Sequence, residues 1–199
     1  TLFVQWVIGK CPKDKIITGS YNETLSTVFS KGVRNKIQET SADGRIVYND
    51  VFPHIKVKRG DGAANLWGIE GNDTNTYLAT SPTGTATGFG ADLMLIDDVI
   101  KNEYEARNDN IKEQHWKWFT DTMLSRREGK RKVIVVMTRW ASDDLAGRLI
   151  ETLNRQGKKY RLICYKAFDG QSMLCEDILS RAQYEDILKA DTGKAIVEA

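Results

Sequence analysis

Two adjacent carboxylates, Asp97 and Asp98, close the short apolar run Ala91-Asp92-Leu93-Met94-Leu95-Ile96. A run of this length after a Gly-rich turn has the pattern of a strand buried on both faces of a parallel sheet. In open α/β sheets ligands collect outside the carboxyl ends of strands. Paired acids at such an end are placed to hold Mg²⁺ and to activate a water. The same pair also suits the plainer task of capping a following helix, since a carboxylate accepts from the free amides of a first turn.

A second β-branched run, Lys132-Val133-Ile134-Val135-Val136-Met137, ends in Thr138-Arg139-Trp140. Nucleotide hydrolysis on such a sheet needs a metal-binding acid, a carboxylate that orients water, a polar group that senses phosphate and a cation that offsets developing charge. Asp97, Asp98, Thr138 and Arg139 supply one candidate for each role. A nuclease is the competing enzyme class. Adjacent acids also serve two-metal hydrolysis, provided that further acids converge from other strands.

The elements that must position these groups alternate between strand and helix. The opening apolar residues Thr1 to Ile8 stop at Gly9 and Pro12. Lys15 to Ser20 reads as a buried strand, and Asn22 as the cap of a helix to about Ile37. Residues 40 to 62 are punctuated by Gly, Asp, Asn and Pro and predict loops with short strands. Asn65–Glu70 and Thr76–Thr80 flank Gly71-Asn72-Asp73, as a hairpin requires. Glu103 to Glu128 predicts one long helix with Ile111, His115, Trp118, Phe119 and Thr122 along one side. Ser142 is the expected cap of the next helix, with Asp143 and Asp144 in its first turn. Tyr160 to Tyr165 predicts a further strand, and Ser180 with Gln183 a capping box opening the last helix. The fold class expected is α/β, with a mostly parallel central sheet flanked by helices.

Composition narrows the function classes. The 29 basic and 27 acidic residues nearly balance, so net charge alone does not announce a nucleic-acid binder. A local run does stand out: Arg126, Arg127, Lys130, Arg131, Lys132 and Arg139 face the single acid Glu128. Such a run is either a phosphate footprint or a solvated basic turn. Three cysteines without metal-ligand spacing and only two histidines argue against disulfide scaffolding and against zinc. No run has the length of a membrane span, and a cytosolic, soluble protein is the expectation. The Gly/Thr-rich stretch Ser81–Gly90 leads into a strand rather than a helix, so it predicts a mobile connection rather than a phosphate cradle.

Together, Leu93–Asp98 with Ile100-Lys101-Asn102, Trp116-x-Trp118, Val136–Trp140 and Asp143–Leu149 resemble the large terminase subunit of tailed bacteriophages. That family supplies the ATP-driven motor that packages viral DNA. The resemblance implies a P-loop NTPase (ASCE-type) ATPase domain over residues 1–168, and a linker or subdomain segment over 169–199 leading to a nuclease domain with no counterpart here. It implies Asp97 as the Mg²⁺-binding Walker B acid, Asp98 as the catalytic carboxylate, and Thr138 as the coupling residue. Arg139 and Arg126 become candidate phosphate contacts. The implied cofactors are Mg²⁺ and ATP. Implied partners are double-stranded DNA, the portal protein, the small terminase subunit and further copies in a ring, with no membrane, in the host bacterial cytoplasm.

Two departures qualify the resemblance. The pattern G-x-x-x-x-G-K-[ST] is absent: Gly9-Lys10 precedes Cys11, Gly129-Lys130 precedes Arg131, Gly157-Lys158 precedes Lys159 and Gly193-Lys194 precedes Ala195. In the family that loop lies just ahead of the helix beginning here near Thr1, so the first strand and phosphate loop are expected to be missing and this chain alone inactive. Phe89 stands where many relatives carry an arginine. The alternatives are a metal-dependent nuclease fragment and a non-catalytic DNA- or portal-binding module.

Overall fold

The computed structural model describes residues 1–40, 43–60, 63–84, 86 and 88–189, with backbone only for 127–131. The chain divides into two compact units, Thr1–Lys101 with Glu113–Met137, and Asn102–Lys112 with Thr138–Ala199.

The first unit is built on a five-stranded sheet. Strands β1 (Ile16–Gly19), β2 (Leu66–Trp67), β3 (Tyr77–Thr80), β4 (Ala91–Asp97) and β5 (Arg127–Val136) lie in the order β2-β3-β1-β4-β5. Only β2 runs antiparallel, hairpinned onto β3 as the Gly71-Asn72-Asp73 turn predicts. β1 pairs with both β3 and β4, setting Ile16 beside Tyr77 and Leu93. From β1 the chain passes to one side to build β3, then returns to the other side as β4. That reversal makes the carboxyl ends of β1 and β4 the switch point of the sheet, where a crevice opens.

Side-chain alternation assigns the two sheet faces. Helices α1 (Leu2–Lys10) and α2 (Glu23–Gln38) supply Val4, Ile8, Val33 and Ile37 to one cluster with Ile16, Tyr77, Ala79 and Leu93. Asn22 caps α2 as expected, accepting from Leu25 N at 2.8 Å. On the other face Trp118 stands against Gly19, where a Cβ would lie 2.6 Å from its ring and 3.2 Å from Ile96 Cδ1. Residues 40 to 62 hold a short helix, α3 (Tyr48–Val51), and Val57 bridges to Ile69.

The expected long helix is broken. Asn102 caps α4 (Glu103–Arg107), and the Asn108 side chain then accepts from Asn110 and Ile111 at the start of α5 (Asp109–Lys117). Both Asn side chains offer the backbone a cap in place of continued helix. A π-helical turn, Trp118–Met123, follows and turns Trp118, Phe119 and Met123 inward. A single 3₁₀ turn, Leu124–Arg126, leads into β5, so Glu128 is strand rather than helix.

In the second unit α6 (Leu145–Arg155) begins two residues later than expected, capped by Asp144 rather than Ser142. Residues 160–165 form no strand; they are exposed, with no ladder partner among the described residues. An extended run becomes a strand only when a neighbour takes its backbone groups. Ser180 and Gln183 form the expected capping box ahead of α7 (Arg181–Lys189). The end of the 169–199 segment, residues 190–199, lies outside the described residues.

A buried cation ties this unit together. Lys112 Nζ lies 2.6 Å and 2.8 Å from the Asp143 carboxylate oxygens and 3.0 Å from Asp109. The hydrogen bond that Lys112 donates to Asp143 holds that carboxyl below the ordinary carboxylate value and raises the ammonium above its own. The Asp143 contribution to stability is therefore present above the ordinary carboxylate range and lost as pH falls through the depressed value. Asp143 is half exposed, which screens the pair. Lys112→Ala is expected to cost about 1–2 kcal/mol near neutrality, with the difference from wild type shrinking in acid; denaturant titrations at several pH values read it.

Among the described residues no helix is long and apolar enough to cross a membrane.

Candidate functional site

At the switch point a cavity of about 110 Å³ is lined by Thr1 and Val4 of the α1 end, Thr18 and Ser20 of β1, Tyr77 of β3, and Leu95 and Asp97 of β4. Phe29 and Val33 of α2 close it. Alternation along β4 sets Leu93, Leu95 and Asp97 on the α1–α2 face, so the strand that buries two leucines delivers a carboxylate to the same side. The amino end of α1 and the carboxyl end of β4 thus line one space. A helix amino end presents free amides and the positive end of a dipole, which suits an anion.

The polar groups here are held before any ligand arrives. Thr18 Oγ1 and Tyr77 Oη share a 2.7 Å hydrogen bond. Burial pushes the Tyr77 hydroxyl up to about 12, so it keeps its proton at physiological pH. Ser20 N donates to Thr80 O at 3.2 Å, and Ser20 is almost fully buried.

Burial raises the Asp97 carboxyl above its ordinary value. A carboxyl whose folded pKa is raised favours the folded state when protonated, and that advantage fades as pH rises. Ionised Asp97 therefore burdens the protein when no cation faces it. Asp97→Asn is expected to raise the thermal midpoint at pH 7 without divalent ions, and the gap to wild type narrows towards pH 4. An unchanged or lower midpoint would mean that burial does not strain this carboxylate.

Asp98 is the sole non-glycine residue with positive φ, at 45°, among those described. Its amide donates to Val136 O at 2.9 Å, fastening the end of β4 to the end of β5. An acid held in the left-handed region costs backbone energy that only surrounding structure sustains, and such residues gather at working sites. No cluster of three His, Cys, Asp or Glu side chains exists among the described residues. A cation at Asp97 and Asp98 would complete its shell with water and phosphate oxygens, the usual habit of Mg²⁺. Among the described residues, the further acids that a two-metal nuclease requires are not assembled there.

Arg126, Thr138 and Arg139 are not among the residues lining this cavity. Arg126 precedes β5, where Arg127 registers with Ala91 rather than with Asp97. Parallel pairing therefore sets it at the amino end of the sheet, about 20 Å along the strand from Asp97 at roughly 3.3 Å per residue. Arg139 turns into its own loop: Nε donates to Asp144 Oδ2 at 3.0 Å, and Nη2 to the carbonyls of Ala141 and Ser142 at 3.1 and 3.3 Å. Thr138, one residue earlier, is exposed. The side chains of the basic run at residues 127–131 lie outside the described residues.

Sequence reasoning missed Thr18, Ser20 and Tyr77. The usable signal was the Thr18-Gly19-Ser20 ending of the first strand, a polar terminus on an otherwise apolar element. It also left Asp144 as one more acid in a first turn, although that carboxylate is completely buried.

Neither the protein-family profiles nor the curated protein sequences searched contain a match to this chain.

Proposed function

We propose that Asp97, Asp98 and the cavity beside them are the Mg²⁺ side of an ATP-hydrolysing site in a P-loop NTPase, and that the chain belongs to a terminase-type motor that drives double-stranded DNA into a procapsid. One observation carries the reading: the amino end of α1 and the acid ending β4 line the same cavity at the sheet's switch point. A phosphate chain needs amide donors and positive dipole on one side and a metal-holding carboxylate on the other. The ordered motifs from Leu93 to Leu149 support the terminase reading among such hydrolases.

On this reading Asp97 would hold Mg²⁺, which would supply charge neutralisation at the phosphates. Asp98, fixed by its tie to Val136, orients the attacking water and accepts its proton. Thr18 and Ser20 offer hydroxyls to water or phosphate oxygens. Thr138 is the residue that couples hydrolysis to movement. Portal protein, small subunit and further copies of the chain are the partners that such a motor requires.

The test is ATP hydrolysis by the full gene product in Mg²⁺, with and without linear duplex DNA. Turnover stimulated by DNA is the expected result. Nicking of supercoiled plasmid in Mn²⁺ by this chain alone, lost in Asp97→Ala, would favour the nuclease reading instead.

A further inference from the structure

The loop joining β5 to α6 is wound around one carboxylate. Asp144 is completely buried, and both of its carboxylate oxygens accept hydrogen bonds from its own loop and helix. Oδ2 takes Arg139 Nε at 3.0 Å and Trp140 N at 3.1 Å; Oδ1 takes Gly147 N at 2.9 Å, capping α6. The Arg139 guanidinium then reaches back to the carbonyls of Ala141 and Ser142. Gly147 makes this closure feasible. A Cβ there would collide with the Ser142 carbonyl oxygen and stand 2.8 Å from Arg139 Nη2.

A buried carboxylate needs a cationic partner, and Arg139 is that partner. The guanidinium is thus occupied in neutralising Asp144, while the neighbouring Thr138 remains exposed. We propose that Asp144 is a positioning residue: through Arg139 and the amides of Trp140 and Gly147 it sets the loop that presents Thr138, and Arg139 is a structural member of that loop rather than a phosphate contact. The inference rests on the ATPase reading, because it assigns how that site's coupling residue is held.

Two measurements separate the inference from that reading. In the full gene product, Asp144→Asn is expected to lower kcat for ATP by roughly 10–100-fold, the scale of a misplaced group, with KM nearly unchanged. Arg139→Lys, which keeps a cation for Asp144, is expected to retain most activity. Thr138→Val combined with Asp144→Asn is expected to be no slower than Thr138→Val alone, because both act through one group. Wild-type kcat in Asp144→Asn, or a loss in Arg139→Lys as deep as in Arg139→Ala, would overturn the assignment. In the chain itself, the Thr138 methyl resonance reports the loop without turnover. It should move in Asp144→Asn and stay in Arg139→Lys; a fixed resonance in Asp144→Asn would also overturn it. If Asp144→Asn melts early, Asp144→Ser retains a helix cap and takes its place in both arms, with the same outcomes deciding. Failure of the wild-type gene product to hydrolyse ATP would sink the ATPase reading, while the methyl measurement would still decide the loop.

Discussion

Asp98→Asn in the full gene product is expected to stop steady-state ATP hydrolysis, by about 10²–10⁴-fold, while MgATP binding stays within a few-fold of wild type. The amide matches the carboxylate in size but cannot take a proton from water. Asn also tolerates the left-handed backbone that Asp98 adopts at φ 45°, so the fold should persist. Asp98→Gly separates stability from chemistry. Glycine enters that backbone region without strain, so this variant should melt no earlier than wild type and yet be inactive. Unchanged turnover in Asp98→Asn would remove Asp98 from the water-orienting role.

Gly147→Ala is expected to be the most damaging small substitution in the second unit. The added methyl would meet the Ser142 carbonyl, which is backbone and has no rotamer through which to escape. Relief would require the Thr138–Asp144 loop to lift from α6. The caps at Gly147 N and Trp140 N would go with it and leave the Asp144 carboxylate buried and poorly paired. A loss of about 3 kcal/mol follows from such overpacking, or a fall in thermal midpoint of roughly 6–12 °C at this chain length. Scanning calorimetry reads it, and hydrogen exchange should place the loosening in α6. A midpoint within a degree of wild type would show that the loop has slack that the close contact denies.

Much of the sheet was legible because buried parallel strands leave a strong mark. Ile16–Gly19, Ala91–Asp97 and the Val133–Val136 part of β5 are apolar or β-branched runs, and the hairpin announced itself through Gly71-Asn72-Asp73. The helix from Glu103 was less legible. Its apolar positions continue at helical spacing past Asn108, while the Asn side chain makes a cap that periodicity does not register. The two-residue error at α6 has the same origin, because Ser142 and Asp144 both have capping chemistry and only burial distinguishes them. The Tyr160–Tyr165 run shows the reverse case: strand composition without a neighbouring strand among the described residues leaves the chain irregular and exposed.

The candidate site was half legible. Adjacent acids after an apolar run mark Asp97 and Asp98, but cavity partners separated by about 80 residues in the chain, Thr18 and Asp97, meet only through the register of β1 with β4. Arg126 and Arg139 are near Asp97-Asp98 and Thr138 in motif order, yet sheet direction carries the first to the opposite end of β5 and Asp144 engages the second.

The central claim is that a metal–nucleotide complex sits where α1 and β4 meet. Iron-directed cleavage tests it most directly: Fe²⁺ replaces Mg²⁺ with ATP in the full gene product, and ascorbate and peroxide then cut backbone near the bound ion. The account predicts ATP-dependent cuts at Asp97-Asp98 and around Thr18 to Ser20. Asp14 and Asp92, whose carboxyls interact at the amino ends of β1 and β4, form an internal control at the other end of the same strands. Cleavage centred on Asp14 and Asp92, or cuts indifferent to ATP, would contradict the account.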